Sequence, residues 1–425
     1  MNHKESIGII GSGIAGLSCC YFLGKEFDLT LIDQNNYLGG HTNTVTIKEA
    51  GKSIPIDTGF MVFNDYTYPN LLELFSRLNV KSYETSMSFG VQNLLSGHEM
   101  SFSSLNTIFA QRQNLLNPKF VFMIKDILRF FKDSQSVLAS KDCANLTLHD
   151  FIISRKYGKE LAEWFLLPMI AAIWSSPTSN MKDYPVLSLF QFMSNHGLLG
   201  VGTQFQWRTV QGGSQNYKKT LLEESKPEIW LNSKIRSVSR FKDKFNVTNQ
   251  NGEKRSFDKV IIATHADQAR LMLEHPTAHQ KELLSPFKYN INTAVLHSDD
   301  SVMPSSRRAW ASWNYRIEQK ENRALGSTHY WMNNLQSLDT TKNYFVSIDY
   351  SPKLLNPNKI HWQSTYEHPR YSLETLKTQP NLSKLNENGS LFFCGSYFGN
   401  GFHEDALNAG IEVSKNILQK KDIWK

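Results

Sequence analysis

An α/β fold is predicted for this 425-residue chain by two stretches, one near each end. Near the N-terminus the run Ile7-Gly8-Ile9-Ile10 leads into Gly11-x-Gly13-x-x-Gly16 and an apolar segment to Leu23. A second β-branched run, Leu29-Thr30-Leu31-Ile32, then stops on Asp33. Near the C-terminus, Leu391-Phe392-Phe393-Cys394-Gly395-Ser396 reads as a strand into a turn, and Gly401-Phe402-His403-Glu404-Asp405-Ala406 opens a helix. Strand, glycine turn, helix and acid-terminated strand together mark a Rossmann-like parallel sheet that binds a dinucleotide.

Each position in the first stretch has a physical reason. Gly11 permits the tight turn, Gly13 lets the backbone approach a pyrophosphate, and Gly16 lets the helix lie close on the strand. The helix start at Ile14 and Ala15 offers free N–H groups and the positive end of a dipole to that pyrophosphate. Asp33, about 20 residues after the glycines, is placed to accept ribose hydroxyls. A carboxylate there repels a 2′-phosphate, which leaves FAD or NAD and disfavours NADP.

A chain of this length exceeds one simple core and suits two intertwined units. Its 26 Phe, 16 Tyr and 9 Trp fit a large aromatic core or an apolar cavity. The net charge of +7 favours anionic surfaces. No basic run with interleaved aromatics is present, so nucleic acid is not an expected partner. Cys19, Cys20, Cys143 and Cys394 match neither a zinc spacing nor a disulfide framework; no metal is expected, and a cytoplasmic location is. The uncharged run from Ile7 to Gly24 is too rich in Gly and Ser to span a bilayer, and Trp164 to Trp174 is short and broken by Pro168, so no transmembrane helix is expected.

Between the two ends the elements follow in order. Tyr68 to Leu78 carries apolar residues at helical spacing, and Ser86 to Val91 alternates as a strand does. The 100–200 region reads as mainly helical. Within it, residues 120–132 are apolar with three cations, which suits either a helix packed on its neighbours or one lying at a membrane surface; the former is preferred. Thr147 is a candidate cap for a helix through Phe151, and residues 166–174 suit an interior. His196 reads as a hydrogen-bonded loop histidine. Gly212-Gly213 precedes a helix from Tyr217 to Leu222, Asn251-Gly252 marks a hairpin turn, and Phe257 to Thr264 reads as a buried parallel strand. Three further strands are expected at residues 292–297, 328–333 and 344–348.

Beyond Asp33, the segment Gln34 to Thr42 includes the pair Gly39-Gly40, and Asp57-Thr58-Gly59-Phe60-Met61 follows. With the C-terminal motif, these resemble the flavin-containing amine oxidase superfamily. The resemblance implies a non-covalent FAD and a glutathione-reductase-like FAD-binding domain built from residues 1–85, 205–284 and 386–425. An interleaved α+β substrate domain, of mixed sheet and helices, would comprise residues 86–204 and 285–385. It implies that the glycine pair passes under the diphosphate, where His41 stands in place of the usual Arg, and that Thr58 to Met61 lies near the flavin ring. It also implies that Ile235 meets the adenine through its backbone. Gly395, Ser396, Phe402, His403 and Ala406 would border the ring, whose pyrimidine oxygen faces the final helix N-terminus.

A narrower resemblance rests on Phe60 to Asn64, Met303-Pro304 with Arg307 and Trp310, Trp313-Asn314, His368-Pro369 and Gly401 to Asp405. These resemble a bacterial subgroup of FAD oxidoreductases similar to the flavin domain joined to plant cyclopropane fatty acid synthases. The implied chemistry is removal of two electrons from a substrate, with oxygen or another acceptor taking them on. Fatty acyl lipids, amines, and a non-catalytic partnership with a lipid-modifying methyltransferase all stand as readings, with peripheral contact at the inner face of the membrane. Amine oxidases of this type pair two aromatics before the flavin. Phe402 falls at one position, and Tyr366 and His368 stand where the partner is expected. His368 is a candidate acid–base group, and Lys288 falls loosely where relatives keep a lysine near the flavin; a solvated lysine is the alternative.

Overall fold

The computed structural model describes residues 4–140, 142–143, 146–175, 178–320, 323–387 and 389–425. At its centre is a parallel sheet of five strands in the order Glu228–Trp230, Asp28–Ile32, Ser6–Ile10, Lys259–Ile262, Leu391–Phe393. Ile7, Ile9, Leu31, Val260, Ile261 and Phe393 are sealed from solvent. A sheet covered on both faces selects continuous β-branched and aromatic runs over alternation, which is how these strands read. Helix Ile14–Leu23 packs between Gln215–Ser225 and His403–Leu418. The last of these crosses closely at Gly410, where a Cβ would stand 2.1 Å from Ser18 Oγ and 2.6 Å from the Ala15 carbonyl oxygen.

A second sheet has seven strands in the order Ile360–Arg370, Lys288–His297, Phe345–Ile348, Arg323–Trp331, Trp313–Lys320, Phe89–Asn93, His98–Ser101. Its neighbours are antiparallel apart from Trp313–Lys320 with Phe89–Asn93, which makes it mixed, as expected. A helical layer lies against it. Helix Pro118–Ser140 buries Phe120, Met123, Ile127, Phe130, Ser134 and Val137, alternately three and four residues apart, the stripe of a packed helix. Ahead of helix Leu167–Ile173 the chain makes a wider π-type stretch, Ala162–Leu166. Pro168, which has no N–H, follows that stretch, so the ladder loosens there without ending the helix. Four residues of the narrower sequence match brace the chain beside the sheet. Trp310 Nε1 donates to the Pro304 carbonyl at 2.8 Å, the Arg307 guanidinium lies 3.6 Å over the Trp310 ring, and Asn314 bonds the Ala311 backbone in both directions.

The buried carboxylate of Asp57 joins distant segments. It accepts from Thr44 Oγ1 (2.6 Å), Ser214 N (2.9 Å), Ser214 Oγ (2.8 Å) and Gln336 Nε2 (2.9 Å). Burial raises its pKa to about 6.

Several boundaries differ from expectation. The strand expected from Ser86 begins at Phe89, and the helix expected from Tyr217 begins at Gln215. The strand expected from Asn292 starts four residues earlier, at Lys288, because it pairs along its length with Ile360–Arg370. Cys394 follows strand Leu391–Phe393 instead of lying in it, yet is fully buried.

Candidate dinucleotide and redox site

The glycine turn is held from both sides. Gly11 has φ +105°, its N–H donates to the Ile32 carbonyl at 2.8 Å, and a Cβ on it would stand 2.5 Å from the Ala263 oxygen. A Cβ on Gly16 would come within 1.9 Å of the Gly11 carbonyl oxygen. Gly13 is the opposite case: a Cβ there would meet no atom within 4 Å. It is the N-cap of Ile14–Leu23, whose first turn has no side-chain cap and no acid. Gly40 folds over the same mouth, where its Cβ would lie 3.4 Å from Gly13 Cα. An open space at an uncapped helix start, walled by glycine backbone, fits the diphosphate of a dinucleotide.

Asp33 is more occupied than the sequence suggested. Its Oδ2 accepts from the Ser12 N–H at 3.0 Å and from Ser12 Oγ, and its Oδ1 accepts from the Asn35 N–H (2.9 Å) and Nδ2 (3.1 Å). Ser12 Oγ also accepts from the Gly39 N–H at 3.0 Å, so this acid braces the glycine pair. A ribose hydroxyl reaching Asp33 has to displace the Asn35 side chain. Gln34 is exposed. Ile235 is buried with Ile10 and Ile32, two residues beyond Ser233, whose N–H donates to the Asp33 carbonyl at 2.9 Å.

At the other end of the cradle, Gly59 and Phe60 lie against His41, whose carbonyl accepts the Phe60 N–H at 2.7 Å. Thr42 and Met61 are buried, Met61 accepting from Thr209 Oγ1 at 2.8 Å. Phe60 stacks on His403 at 3.8 Å with the rings 11° from parallel. Tyr217 joins two of the expected contacts: its hydroxyl lies 2.7 Å from Thr42 Oγ1 and 2.6 Å from His403 Nε2. Sequence reading placed Tyr217 in the helix after Gly212-Gly213 and missed this role, because nothing local distinguishes a core tyrosine from a site tyrosine. Gly395 and Ser396 shape the turn before the final helix, the Ser396 carbonyl accepting from Gly399 (3.1 Å) and Gly401 (3.2 Å). Ala406 sits one turn into that helix, bonded back to the Phe402 carbonyl at 3.1 Å.

The two acids of that first turn do more than suit the dipole. Glu404 accepts from the Asn70 N–H (2.8 Å) and the Leu71 N–H (3.0 Å), capping helix Pro69–Arg77. Asp405 Oδ2 accepts from the Phe402 N–H (2.9 Å) and the Asn400 N–H (3.0 Å), and burial raises its pKa to about 6. The positive end expected to face the flavin is thus partly capped by its own side chain.

The candidate reacting residues divide into two groups. Tyr366 stacks on His41 at 4.6 Å and places its hydroxyl 3.1 Å from Thr58 Oγ1; His368 meets the edge of the same His41 ring at 5.3 Å. Phe402 instead stacks on Phe192 at 5.0 Å, with Trp174 and His196 beside it. Among the described residues no ring contact joins Phe402 to Tyr366 or His368. His196 is the satisfied histidine expected of it, with Nδ1 2.9 Å from the Phe192 carbonyl. Lys288 lies at the exposed start of its strand opposite Arg370, four residues before Asn292, which pairs with Tyr366.

Burial dominates the electrostatics here. It lowers the pKa of His41 to about 4 and those of His368 and His403 to about 3, with neighbouring histidines adding to the effect. All three are neutral at physiological pH. Glu367 is ionised against His265, 2.9 Å from its Nδ1. His41 Nε2 is buried with no hydrogen-bond partner among the described residues, a polar atom left for a bound group.

The flavin containing amine oxidoreductase family model matches residues 14–298. Among curated proteins the chain is 26% identical over 293 residues to a protoporphyrinogen oxidase of Dictyostelium discoideum, covering 62% of this chain and 52% of that protein. It is 21% identical over 339 residues to an L-amino-acid oxidase of Siganus canaliculatus, covering 73% of this chain and 58% of that protein. The chain thus spans little more than half the length of these relatives. Of solved structures, a putrescine oxidase bound to putrescine matches with a TM-score of 0.68 at 13% identity, over 98% of this chain and 99% of the other. A fatty acid isomerase from P. acnes matches with a TM-score of 0.65 at 13% identity, over 99% and 100% of the two chains. At such identities these two matches speak to the fold alone.

Proposed function

We propose, for a chain that belongs to the flavin containing amine oxidoreductase family, that it removes two hydrogens from an apolar substrate of the fatty acyl class. FAD is the cofactor, and when bound it supplies a two-electron acceptor. Gly11, Gly13, Ile14, Ala15, Gly16, Gly39 and Gly40 would hold its diphosphate. Asp33, Gln34 and Ile235 would lie at the adenosine, and His41, Thr42, Thr58 to Met61, Gly395, Ser396, Phe402, His403 and Ala406 at the ring. Residues 1–85, 205–284 and 386–425 would form the FAD-binding domain, and the rest the substrate domain.

The observation that carries the apolar substrate is the surroundings of Phe402. An ammonium cage needs two aromatic faces opposed across a gap. Here Phe402 is stacked on Phe192 and flanked by Trp174, while Tyr366 is stacked on His41. One wall of the substrate space is therefore hydrocarbon and aromatic. The narrower resemblance to the flavin domain of plant cyclopropane fatty acid synthases supports the same substrate class. Of the two hydrogens, one leaves with its bonding pair, and the other leaves as a proton, which His368 takes at Nε2 and releases to water. Oxygen is the proposed final acceptor of the electrons.

Peripheral contact with a bilayer follows from this reading. Leu105, Leu116 and Phe122 are exposed by 72%, 89% and 65%, next to the exposed cations Arg112, Lys119 and Lys125. Apolar side chains amid cations suit an anionic lipid surface. Among the described residues no helix is long and apolar enough to cross a membrane.

The amine oxidase reading keeps one observation in its favour, the stacked Tyr366 at the candidate ring position. Anaerobic bleaching of the flavin band separates the readings. Unsaturated phospholipid vesicles are expected to bleach it and primary amines to leave it oxidised; the reverse result would sink the lipid assignment. A protein bleached by neither fits a non-catalytic partner of a lipid-modifying methyltransferase. His368→Ala should slow bleaching roughly 100-fold or more with FAD still bound, the usual scale for a lost general base.

A further inference from the structure

We propose that Asn292 and Asp349 form a relay that fixes the ring tautomer of His368, so that an unprotonated Nε2 faces the substrate space. The inference rests on the reading above, in which His368 takes a proton, and it adds the groups that make that nitrogen an acceptor.

Asn292 is 1% exposed. Its Nδ2 donates to the Ser175 carbonyl at 2.7 Å and to Asp349 Oδ2 at 2.6 Å. A carbonyl oxygen only accepts, so exchanging the amide oxygen and nitrogen would set oxygen against oxygen at Ser175. The amide orientation is therefore fixed by its partners. Its remaining atom, Oδ1, lies 2.7 Å from His368 Nδ1. An amide oxygen accepts, so Nδ1 must carry the hydrogen, and in a neutral imidazole the lone pair is then on Nε2. Among the described residues no hydrogen-bond partner meets Nε2, which is not fully sealed from solvent.

Two features mark this as a built arrangement. Asn292 and His368 lie on adjacent paired strands, with Asn290 opposite His368 and Asn292 opposite Tyr366, so backbone register brings the amide to the ring on one sheet face. Both acceptors on the far side of the amide come from non-glycine residues in left-handed backbone, Ser175 at φ +45° and Asp349 at φ +61°. Such conformations persist where surrounding structure enforces them and gather at functional sites. Asp349 is tied to the same strand through its N–H, which donates to the Thr293 carbonyl at 2.9 Å. The other titratable groups around His368 are His41, His265, Glu367 and Tyr366. The carboxylate of Glu367 is engaged by His265 and Gln268, which leaves the Asn292 amide as the partner of the His368 ring.

The test is nitrogen NMR of the protein with 15N-labelled histidine, with and without FAD, the His368 signals being assigned by their loss in His368→Gln. Protonated Nδ1 and unprotonated Nε2 are expected in the wild type. Asn292→Leu, close in volume and lacking an acceptor, should move His368 to the other tautomer or a mixture and slow flavin reduction roughly 100-fold. Asp349→Asn, which keeps an acceptor for the amide, should retain the wild-type tautomer. A wild-type His368 protonated at Nε2 would overturn the relay, as would an unchanged tautomer in Asn292→Leu. If Asn292→Leu fails to fold, the wild-type spectrum and Asp349→Asn still decide. Should the tautomer be as stated while His368→Gln reduces its flavin at the wild-type rate, the relay stands and the proton-acceptor reading fails.

Discussion

Replacing Gly13 and Gly16 one at a time with alanine should give opposite phenotypes, although they belong to one glycine motif. At Gly16 the new Cβ would stand 1.9 Å from the Gly11 carbonyl oxygen, so helix and turn would have to separate by about 1.5 Å to reach ordinary contact. Neither atom is at the end of a flexible side chain. Overpacking of this kind costs about 1–3 kcal/mol, and in a chain of this length that lowers the apoprotein melting temperature by a few degrees. At Gly13 the new methyl would touch nothing within 4 Å, and φ there is −64°, which alanine adopts freely. Apoprotein stability should change by no more than about 1 kcal/mol, since the lost freedom of glycine in the unfolded chain offsets alanine's poorer capping. That methyl does fill the space proposed for the diphosphate, so FAD affinity should fall at least 100-fold, about 2.7 kcal/mol. Thermal melting of the apoproteins by circular dichroism, with FAD titration followed by fluorescence quenching, reads both effects. An FAD affinity for Gly13→Ala within threefold of wild type would refute the placement of the dinucleotide. A Gly16→Ala apoprotein as stable as wild type would refute the packing argument.

Two further perturbations follow from buried polar groups. Tyr217→Phe leaves Thr42 Oγ1 and His403 Nε2 without the hydroxyl between them, which should cost about 1–3 kcal/mol in urea unfolding; an unchanged midpoint would show that the two groups find other partners. Asp57 titrates at about 6 in the folded chain against an ordinary 3.8, so the native state holds its proton more tightly than the unfolded one. Its contribution to stability is complete below about pH 3.8 and is lost as pH rises through about 6, by about 3 kcal/mol in total. Asp57→Asn should remove that slope from urea unfolding measured between pH 4 and 7. Parallel wild-type and mutant profiles would mean that the carboxyl is not held protonated.

Much of the dinucleotide end was legible in the sequence because its signals are local. Gly11, Gly13 and Gly16 are needed for backbone reasons, and a strand buried on both faces, such as Lys259–Ile262, shows as a continuous apolar run. The reacting end was less legible because its partners are distant in sequence. Asn292 and His368 are 76 residues apart and meet through strand register, and Asp57 meets Gln336 across 279 residues. No periodicity marks either pair. Glu404 and Asp405 looked like ordinary first-turn acids because their partners, Asn70, Leu71 and Asn400, become visible only once the helix and loop are packed.

The charge distribution at the reacting end bears on substrate class independently of the rings. His41, His368 and His403 are neutral at physiological pH, so no imidazolium there attracts an anion. The final helix, His403–Leu418, has part of its first turn neutralised by Asp405, while Glu404 is turned toward another helix. The Glu367 carboxylate is hydrogen-bonded by His265 and Gln268. A substrate ammonium entering this space would lose hydration, and the carboxylates that should replace it are already engaged. A hydrocarbon chain loses nothing by the same move. The desolvation balance therefore favours the fatty acyl reading over the amine one, and it does so through the same burial that keeps His368 uncharged.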